Sequence, residues 1–276
     1  MTKQQAEKYL RRIGYTGEIA PTPEFLAEVQ TLHFYSVPYE NLDILLSRPL
    51  SLEPEALYEK IVVNKRGGYC FELNGLYAEL LRSVGFRVTE HFARFLLGTS
   101  EIPKRRHRVL AVECAGKSWL CDVGVGIEMP RRPLLFEDGL PQKQGGIVYT
   151  LSREPFFGRI ISEHRNGAER RVFSFTEEEH ITADFTAISY FCEHSPESIF
   201  NRVPMLSVKT PEGRNTLDAL TFRRFAGDTV DERPIESAGE MQAVLGDVFG
   251  IELSAAEVME VFNKTTDYIA KTKKGT

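Results

Sequence analysis

Cysteine is scarce in this 276-residue chain, with four in all, and they are not spaced as metal ligands. No C-x-x-C pair occurs, and the gap from Cys114 to Cys121 is too wide for a zinc knuckle, so no metal is expected. Without an export signal, Cys70, Cys114, Cys121 and Cys192 do not read as a disulfide framework either; reduced thiols are the expectation. Long apolar runs are missing too. Nothing approaches the ~18 to 20 residues a membrane span needs, and the opening MTKQQAEKYLRRIGYTGEIA is polar with no apolar signal core. The expectation is a cytoplasmic protein that does not engage membranes. A basic excess is absent: 34 Lys+Arg against 39 Asp+Glu leaves −5, the reverse of the balance a general nucleic-acid binder carries. Repeats and low-complexity tracts are also lacking. What is present is ordinary globular composition, 42% hydrophobic with 21 glycines, which excludes disorder, collagen and coiled coil.

Periodicity then divides the chain. The first third is helical: Thr22-Pro23 is a helix start with Pro at the first helical position, and Phe25, Leu26, Val29 and Leu32 form one stripe that Pro38 ends. A helix is predicted from Pro54 to Val63, with Leu57 and Ile61 inward. The clearest helix runs from 70 to 84, where Leu73, Leu76, Tyr77, Leu80, Leu81 and Val84 recur at helical spacing and Gly85 supplies a stop. From Phe86 the period changes to two, and FRVTEHFARFL, HRVLAVEC and SWLCDV predict an antiparallel sheet or barrel. Asn166-Gly167 between GRIISEH and RRVFSF is a type I′ hairpin signal, whereas EDGLPQKQGG at 137–146 reads as loop. The last third reads as an apolar segment around FTAISYF, then strands near LSVKT and LTFRRF joined through Pro211-Glu212-Gly213. Two helices follow, opened by capping boxes at Ser237/Glu240 and Ser254/Glu257.

One thiol stands where chemistry is possible. In RGGYCFELN, Cys70 begins the best helix, where free N–H groups and the positive dipole end stabilise a thiolate and lower its pKa. Gly67 and Gly68 permit close backbone approach to a bound group. Cys70 shares the inward stripe of 73, 77 and 81, so the sulfur faces the domain junction; the bland alternative is a small buried hydrophobe.

A nucleophilic thiol needs a base whose second ring nitrogen is oriented by another group. Six histidines are available, and only His107 has a carboxylate placed by strand geometry. If 107–113 and 118–124 form a hairpin with a two- or four-residue loop, His107 faces Gly124 and Val109 faces Asp122. His107 and Asp122 are then diagonal neighbours on one face, about 7 to 8 Å apart at the backbone; a three-residue loop reverses the parity. Asp122 lies in an apolar strand and needs a partner, either His107 or, as a strand-end cap, nearby backbone N–H groups.

The set Arg66-Gly67-Gly68-Tyr69-Cys70-Phe71-Glu72-Leu73-Asn74, His107-Arg108-Val109 and Asp122-Val123-Gly124-Val125-Gly126 resembles the arylamine N-acetyltransferase family. Val37-Pro38-Tyr39-Glu40-Asn41-Leu42, Ser195-Pro196-Glu197-Ser198-Ile199-Phe200 and Thr210-Pro211-Glu212-Gly213 extend the resemblance over roughly 37–225. It implies an α+β protein with a cysteine-protease-like catalytic core: a helical bundle (1–85), a central antiparallel β-barrel (86–200) and a C-terminal α/β lid (201–276). It further implies acetyl-CoA as co-substrate and ping-pong transfer to an arylamine, arylhydrazine or N-hydroxyarylamine, with Cys70 as nucleophile, His107 as base and Asp122 as its orienter. Backbone at Gly124 and Gly126, with Thr99 and Ser100, corresponds to the CoA-contacting segments. Val125 stands where the family often has Phe in the acceptor pocket, which implies a wider pocket, and Tyr39 corresponds to another wall. Arg66 and Glu72 read as scaffold and Asn74 as a local hydrogen-bonder. Lys104-Arg105-Arg106 reads as a phosphate patch or a solvated charge run. The competing classes are an amide synthase using a larger acyl thioester, a cysteine hydrolase, and a binding module with a structural thiol. Monomer and dimer are equally compatible with the sequence.

Overall fold

The computed structural model describes residues 1–97, 101–127 and 129–274, and its helix starts follow the local capping chemistry. Helix α1 (Lys3–Arg12) is capped by a Thr2/Gln5 box, and α2 (Pro23–Ser36) by Thr22, whose hydroxyl accepts from the Phe25 N–H with Pro23 at the first position. A short α3 (Leu42–Leu45) follows. Next, α4 (Pro54–Tyr58) runs into a π-helical turn (Glu59–Val63), so the predicted helix is present but its second half is underwound. That turn places the Lys60 ammonium 2.7 Å from both Asp43 Oδ2 and Glu72 Oε1, an ionic gain in the place of regular helix geometry. Helix α5 (Cys70–Val84) ends at Gly85 with φ +107°, as the stop signal predicted.

The strands β1 (Arg87–Phe95), β2 (His107–Cys114) and β3 (Lys117–Cys121) start an eight-stranded sheet with β4 (Leu134–Leu135), β5 (Gln142–Gln144), β6 (Ile147–Glu154), β7 (Gly158–Arg165) and β8 (Ala168–Phe175). Its order is β4-β3-β2-β1-β8-β7-β6-β5, all antiparallel. The two-residue hairpin turns Ala115-Gly116 and Asn166-Gly167 have positive φ at both residues, the type I′ geometry that suits strand twist. The expected loop at 137–146 contains β5, whose polar QKQ hid it. The side-chain amide of Gln142 exchanges two hydrogen bonds with the Leu135 backbone, at 2.7 and 3.0 Å, and Gln144 does the same with Arg132, at 2.9 Å each. These amides join the two terminal strands, so the sheet is a nearly closed barrel with its seam sealed by glutamines. Its interior is filled by Val109, Leu151, Ile161, Phe173 and neighbours.

Helix α6 (Thr182–His194), the apolar segment FTAISYF, packs Phe185 and Cys192 with Tyr69, Cys70 and Phe71. The last third differs from expectation. Pro211-Glu212-Gly213 does not lead to LTFRRF; it joins β9 (Met205–Lys209) to an unpredicted β10 (Gly213–Asp218), and β11 (Thr221–Ala226) and β12 (Thr229–Pro234) complete a four-stranded antiparallel sheet. RNTLD and TVDERP carry too few apolar residues to register as strands, and β12 is an exposed edge. Helices α7 (Ala238–Phe249) and α8 (Ala255–Lys274) cover this sheet, and Leu42 and Leu45 of α3 enter their core. The Ser254/Glu257 box is complete, whereas the Glu240 carboxylate bonds the N–H of Glu236 rather than that of Ser237. Among the described residues no helix is long and apolar enough to cross a membrane.

Candidate active site

The segment before α5 packs against the segment after α2 through a backbone contact that only glycine permits. A Cβ on Gly67 would lie 2.0 Å from the Pro38 carbonyl oxygen, so this glycine admits the protein's own chain rather than a bound group, which corrects the expectation. Arg66 is buried and donates twice to Glu40 Oε1, at 2.7 and 3.0 Å, with Asp43 at 3.1 Å; Glu40 Oε2 accepts the Leu42 N–H at 2.7 Å. Glu72 Oε2 accepts the Tyr69 N–H at 3.1 Å, capping α5 immediately before Cys70, while Glu72 Oε1 holds Lys60. The scaffold reading of Arg66 and Glu72 agrees with these contacts.

Cys70 is the first residue of α5, 2% exposed, with Sγ donating to the Arg106 carbonyl at 3.5 Å. Burial pushes its thiol well above the ordinary range, with the Cys192 thiol and the Asp122 charge adding to the rise, and the N–H groups of Arg108 and Phe71 pull only partly back. The expected lowering is therefore reversed: desolvation outweighs the helix end.

The β2–β3 hairpin has the two-residue loop and the register assumed in the sequence argument, Leu110 opposite Cys121 and Cys114 opposite Lys117. The ladder stops at Cys121, yet the side chains meet: His107 Nε2 is 2.6 Å from Asp122 Oδ2. Asp122 Oδ1 accepts from Asn74 Nδ2 at 2.8 Å and from the Gly124 N–H at 2.9 Å, and Gln30 accepts the Asp122 N–H at 3.3 Å. Both readings of Asp122, partner of His107 and cap for local N–H groups, hold at once. Asn74 Oδ1 also accepts the Val123 N–H at 2.9 Å, so one side chain of α5 fixes the segment after β3. His107 packs against the rings of Phe95 and Phe173, centroids 4.7 and 5.7 Å away. Its Nδ1 is buried with no hydrogen-bond partner among the described residues. With the Nε2–H donating to Asp122 Oδ2, Nδ1 carries the lone pair a base requires.

Cys70 and His107 line one cavity of about 630 Å³, together with Tyr39, Gly124, Val125, Gly126 and Phe200. Its far side comes from β9 to β11, with Leu206, Arg214, Thr216, Arg223 and Phe225. A Cβ on Gly124 would sit 2.7 Å from Cys70 Cα and 2.8 Å from Asn74 Nδ2, and one on Gly126 would meet Tyr39 Cδ1 at 3.0 Å. Of the basic run, Lys104 and Arg106 line the cavity, whereas Arg105 lies 3.9 Å from Glu178 away from it. Thr99 and Ser100 lie outside the described residues.

Sequence reasoning passed over Arg108 and Glu90. Arg108 is 1% exposed, its guanidinium is bonded to the Glu90 carboxylate through Nε and Nη2, and Nη1 donates to the Phe71 carbonyl at 3.0 Å. The signal was available: a charge in each of two apolar strands requires a partner.

The class these features define is an α+β protein of cysteine-protease-like fold, with a thiol at a helix start and an imidazole–carboxylate pair from the adjoining barrel. The N-acetyltransferase family pattern matches residues 22–258. A Salmonella typhimurium arylamine N-acetyltransferase / N-hydroxyarylamine O-acetyltransferase is 30% identical over 88% of this chain and 87% of its own. In structure, the arylamine N-acetyltransferase from Salmonella typhimurium superposes with a TM-score of 0.90 at 27% identity, covering 95% of this chain and 99% of that one. The Mycobacterium marinum arylamine N-acetyltransferase in complex with CoA gives 0.88 at 28% identity, covering 94% and 99%. The chain belongs to the arylamine N-acetyltransferase family.

Proposed function

We propose that this protein transfers the acetyl group of acetyl-CoA to an arylamine, arylhydrazine or N-hydroxyarylamine in two half-reactions through Cys70. The observation that carries the reading is His107: Nε2 is engaged by Asp122 at 2.6 Å while Nδ1 is buried, without a hydrogen-bond partner among the described residues, in the cavity that Cys70 also lines. In the first half-reaction the Cys70 proton moves to His107 Nδ1. The thiolate attacks the thioester carbonyl, the C–S bond to CoA breaks, and the imidazolium returns the proton to the departing sulfur. Burial disfavours an isolated thiolate, so the anion forms as a pair with imidazolium and with the N–H groups of Phe71 and Arg108. In the second half-reaction the amine attacks acetyl-Cys70, His107 takes its proton, and the thiolate leaves.

The CoA-bound Mycobacterium marinum relative supports a CoA thioester as donor. Lys104, Arg106, Arg214 and Arg223 at the cavity are suited to the donor's phosphates in a chain whose net charge is −5. Gly124 and Gly126 supply a side-chain-free wall for the pantetheine arm, and Val125 and Tyr39 face the acceptor space. Product analysis with acetyl-CoA and an arylhydrazine tests the reading: N-acetylated product that forms only when the hydrazine is present is expected. Free acetate at the same rate without amine indicates a hydrolase, and turnover restricted to larger acyl thioesters indicates an amide synthase.

A further inference from the structure

Beneath the first turn of α5 lies a buried ionic cluster that the two half-reactions do not use. Arg108 and Glu90, 1% and 2% exposed, are diagonal neighbours on β2 and β1, and Arg82 Nη2 reaches Glu90 Oε1 at 2.8 Å. Arg82 also pairs with Glu79, Nη1 to Oε1 at 3.0 Å, so two guanidinium groups meet two carboxylates, of which Glu90 is the buried one. Arg108 is the member nearest the chemistry. It follows His107 directly, its carbonyl accepts from Asn74 Nδ2 at 2.5 Å, and its guanidinium holds the carbonyl of Phe71, the residue after Cys70. The guanidinium carbon lies 4.5 Å from the centroid of Phe185. A Cβ on Gly75 would come within 2.6 Å of Nη1, so the helix is thinned where the guanidinium sits. A buried, forked cation tying β2 to the helix that starts at the thiol does more than fill space, because its charge acts through a medium that screens poorly.

We propose that the Arg108–Glu90 pair is the positioning and electrostatic device of the proposed thiol chemistry: Arg108 locks the start of α5 to β2, and its buried guanidinium charge favours the Cys70 thiolate. The inference rests on Cys70 being the nucleophile. The other groups facing Cys70 are His107 from β2, Asp122 after β3, Tyr39 after α2, Tyr69 beside it, Cys192 from α6, and Arg106. The variants below alter none of them. Cys70 and Arg108 do interact electrostatically, each favouring the other's charged form.

The signs separate this role from a structural one. Arg108→Met removes one buried positive charge, leaving Glu90 with Arg82 alone, so thiolate formation shifts to higher pH. Glu90→Gln removes the buried negative charge that offsets Arg108, so the shift is to lower pH. Each midpoint moves by about half to one pH unit, in opposite directions. The readout is the rate of Cys70 alkylation by iodoacetamide against pH, with peptide mapping by mass spectrometry, on the full chain. Arg108→Lys keeps the charge but not the fork: its midpoint stays at the wild-type value, while acetylation by saturating acetyl-CoA slows about tenfold through lost alignment. If Arg108→Met does not fold, Glu90→Gln and Arg108→Lys still decide the matter. Midpoints that stay in place or move in the same direction overturn the proposal. Failure of the wild-type thiol to take an acetyl group overturns the nucleophile reading instead.

Discussion

Replacing Asp122 by Asn reverses a proton rather than removing a contact, and the structure dictates how. Asp122 Oδ1 accepts from both Asn74 Nδ2 and the Gly124 N–H, so in the variant that position must remain an oxygen. The new NH₂ group is forced into the Oδ2 position, 2.6 Å from His107 Nε2, and it can only donate. His107 then accepts at Nε2 and carries its proton on Nδ1, the nitrogen in the cavity with Cys70. The base is lost although every heavy atom stays in place. A fall of ~10³ to 10⁴ in the rate of Cys70 acetylation is expected, the scale seen when a triad imidazole is held in the wrong tautomer. The hydrogen bonds are kept and only charge assistance is lost, so stability falls by about 1 to 2 kcal/mol. For a chain of this size that is a Tm decrease of about 2 to 8 °C. Stopped reactions with acetyl-CoA read by intact mass give the rate, and calorimetry gives the Tm. Acetylation of a folded Asp122→Asn protein within about tenfold of wild type would refute the assignment of Asp122 and Nδ1.

The cavity wall and the scaffold give further tests. Val125→Phe fills part of the 630 Å³ cavity, and the kcat/KM ranking of small against bulky arylamines is expected to change by about tenfold; an unchanged ranking removes Val125 from the acceptor site. Gly124→Ala puts a methyl 2.7 Å from Cys70 Cα, so destabilisation by about 1 to 3 kcal/mol and slower acetylation are expected, and wild-type values for both contradict the packing account. Burial pushes the Asp43 carboxyl up, but Lys60 and Arg66 overcome it and hold the group down to about 2. A folded pKa below the unfolded one stabilises above about pH 4, and the contribution is lost as pH falls through about 2. The urea-derived stability gap between wild type and Asp43→Asn is therefore about 2 kcal/mol at pH 6 and shrinks toward pH 2 to 3; a constant gap contradicts the ion-pair origin.

The parts of the fold that were legible in the sequence are those where one local rule acts without competition. The hairpin of 107–113 and 118–124 was legible up to the parity of its loop; the two-residue Ala115-Gly116 turn settles that parity and with it the meeting of His107 and Asp122. The 3.6-residue stripe and Gly85 fixed α5. What escaped was set by contacts distant in sequence. Strand β5 is polar because its glutamines close the barrel seam onto Arg132 and Leu135, and β10 and β12 are half-buried or edge strands without an apolar alternation. The Cys70 thiol was misjudged because helix position is written in the sequence and desolvation by α6 is not. Gly67 was credited to a ligand when the close neighbour is Pro38 of the chain itself. The Arg108–Glu90 pair needed the rule already applied to Asp122, that a charge in an apolar strand must have a partner.

The most direct measurement is the intact mass of the purified protein after mixing with acetyl-CoA in the absence of amine, followed by mapping of the modified peptide. The account predicts one acetyl group on Cys70, discharged on addition of an aromatic amine and absent from Cys70→Ala. A folded protein that takes no acetyl group at Cys70 from excess acetyl-CoA contradicts it.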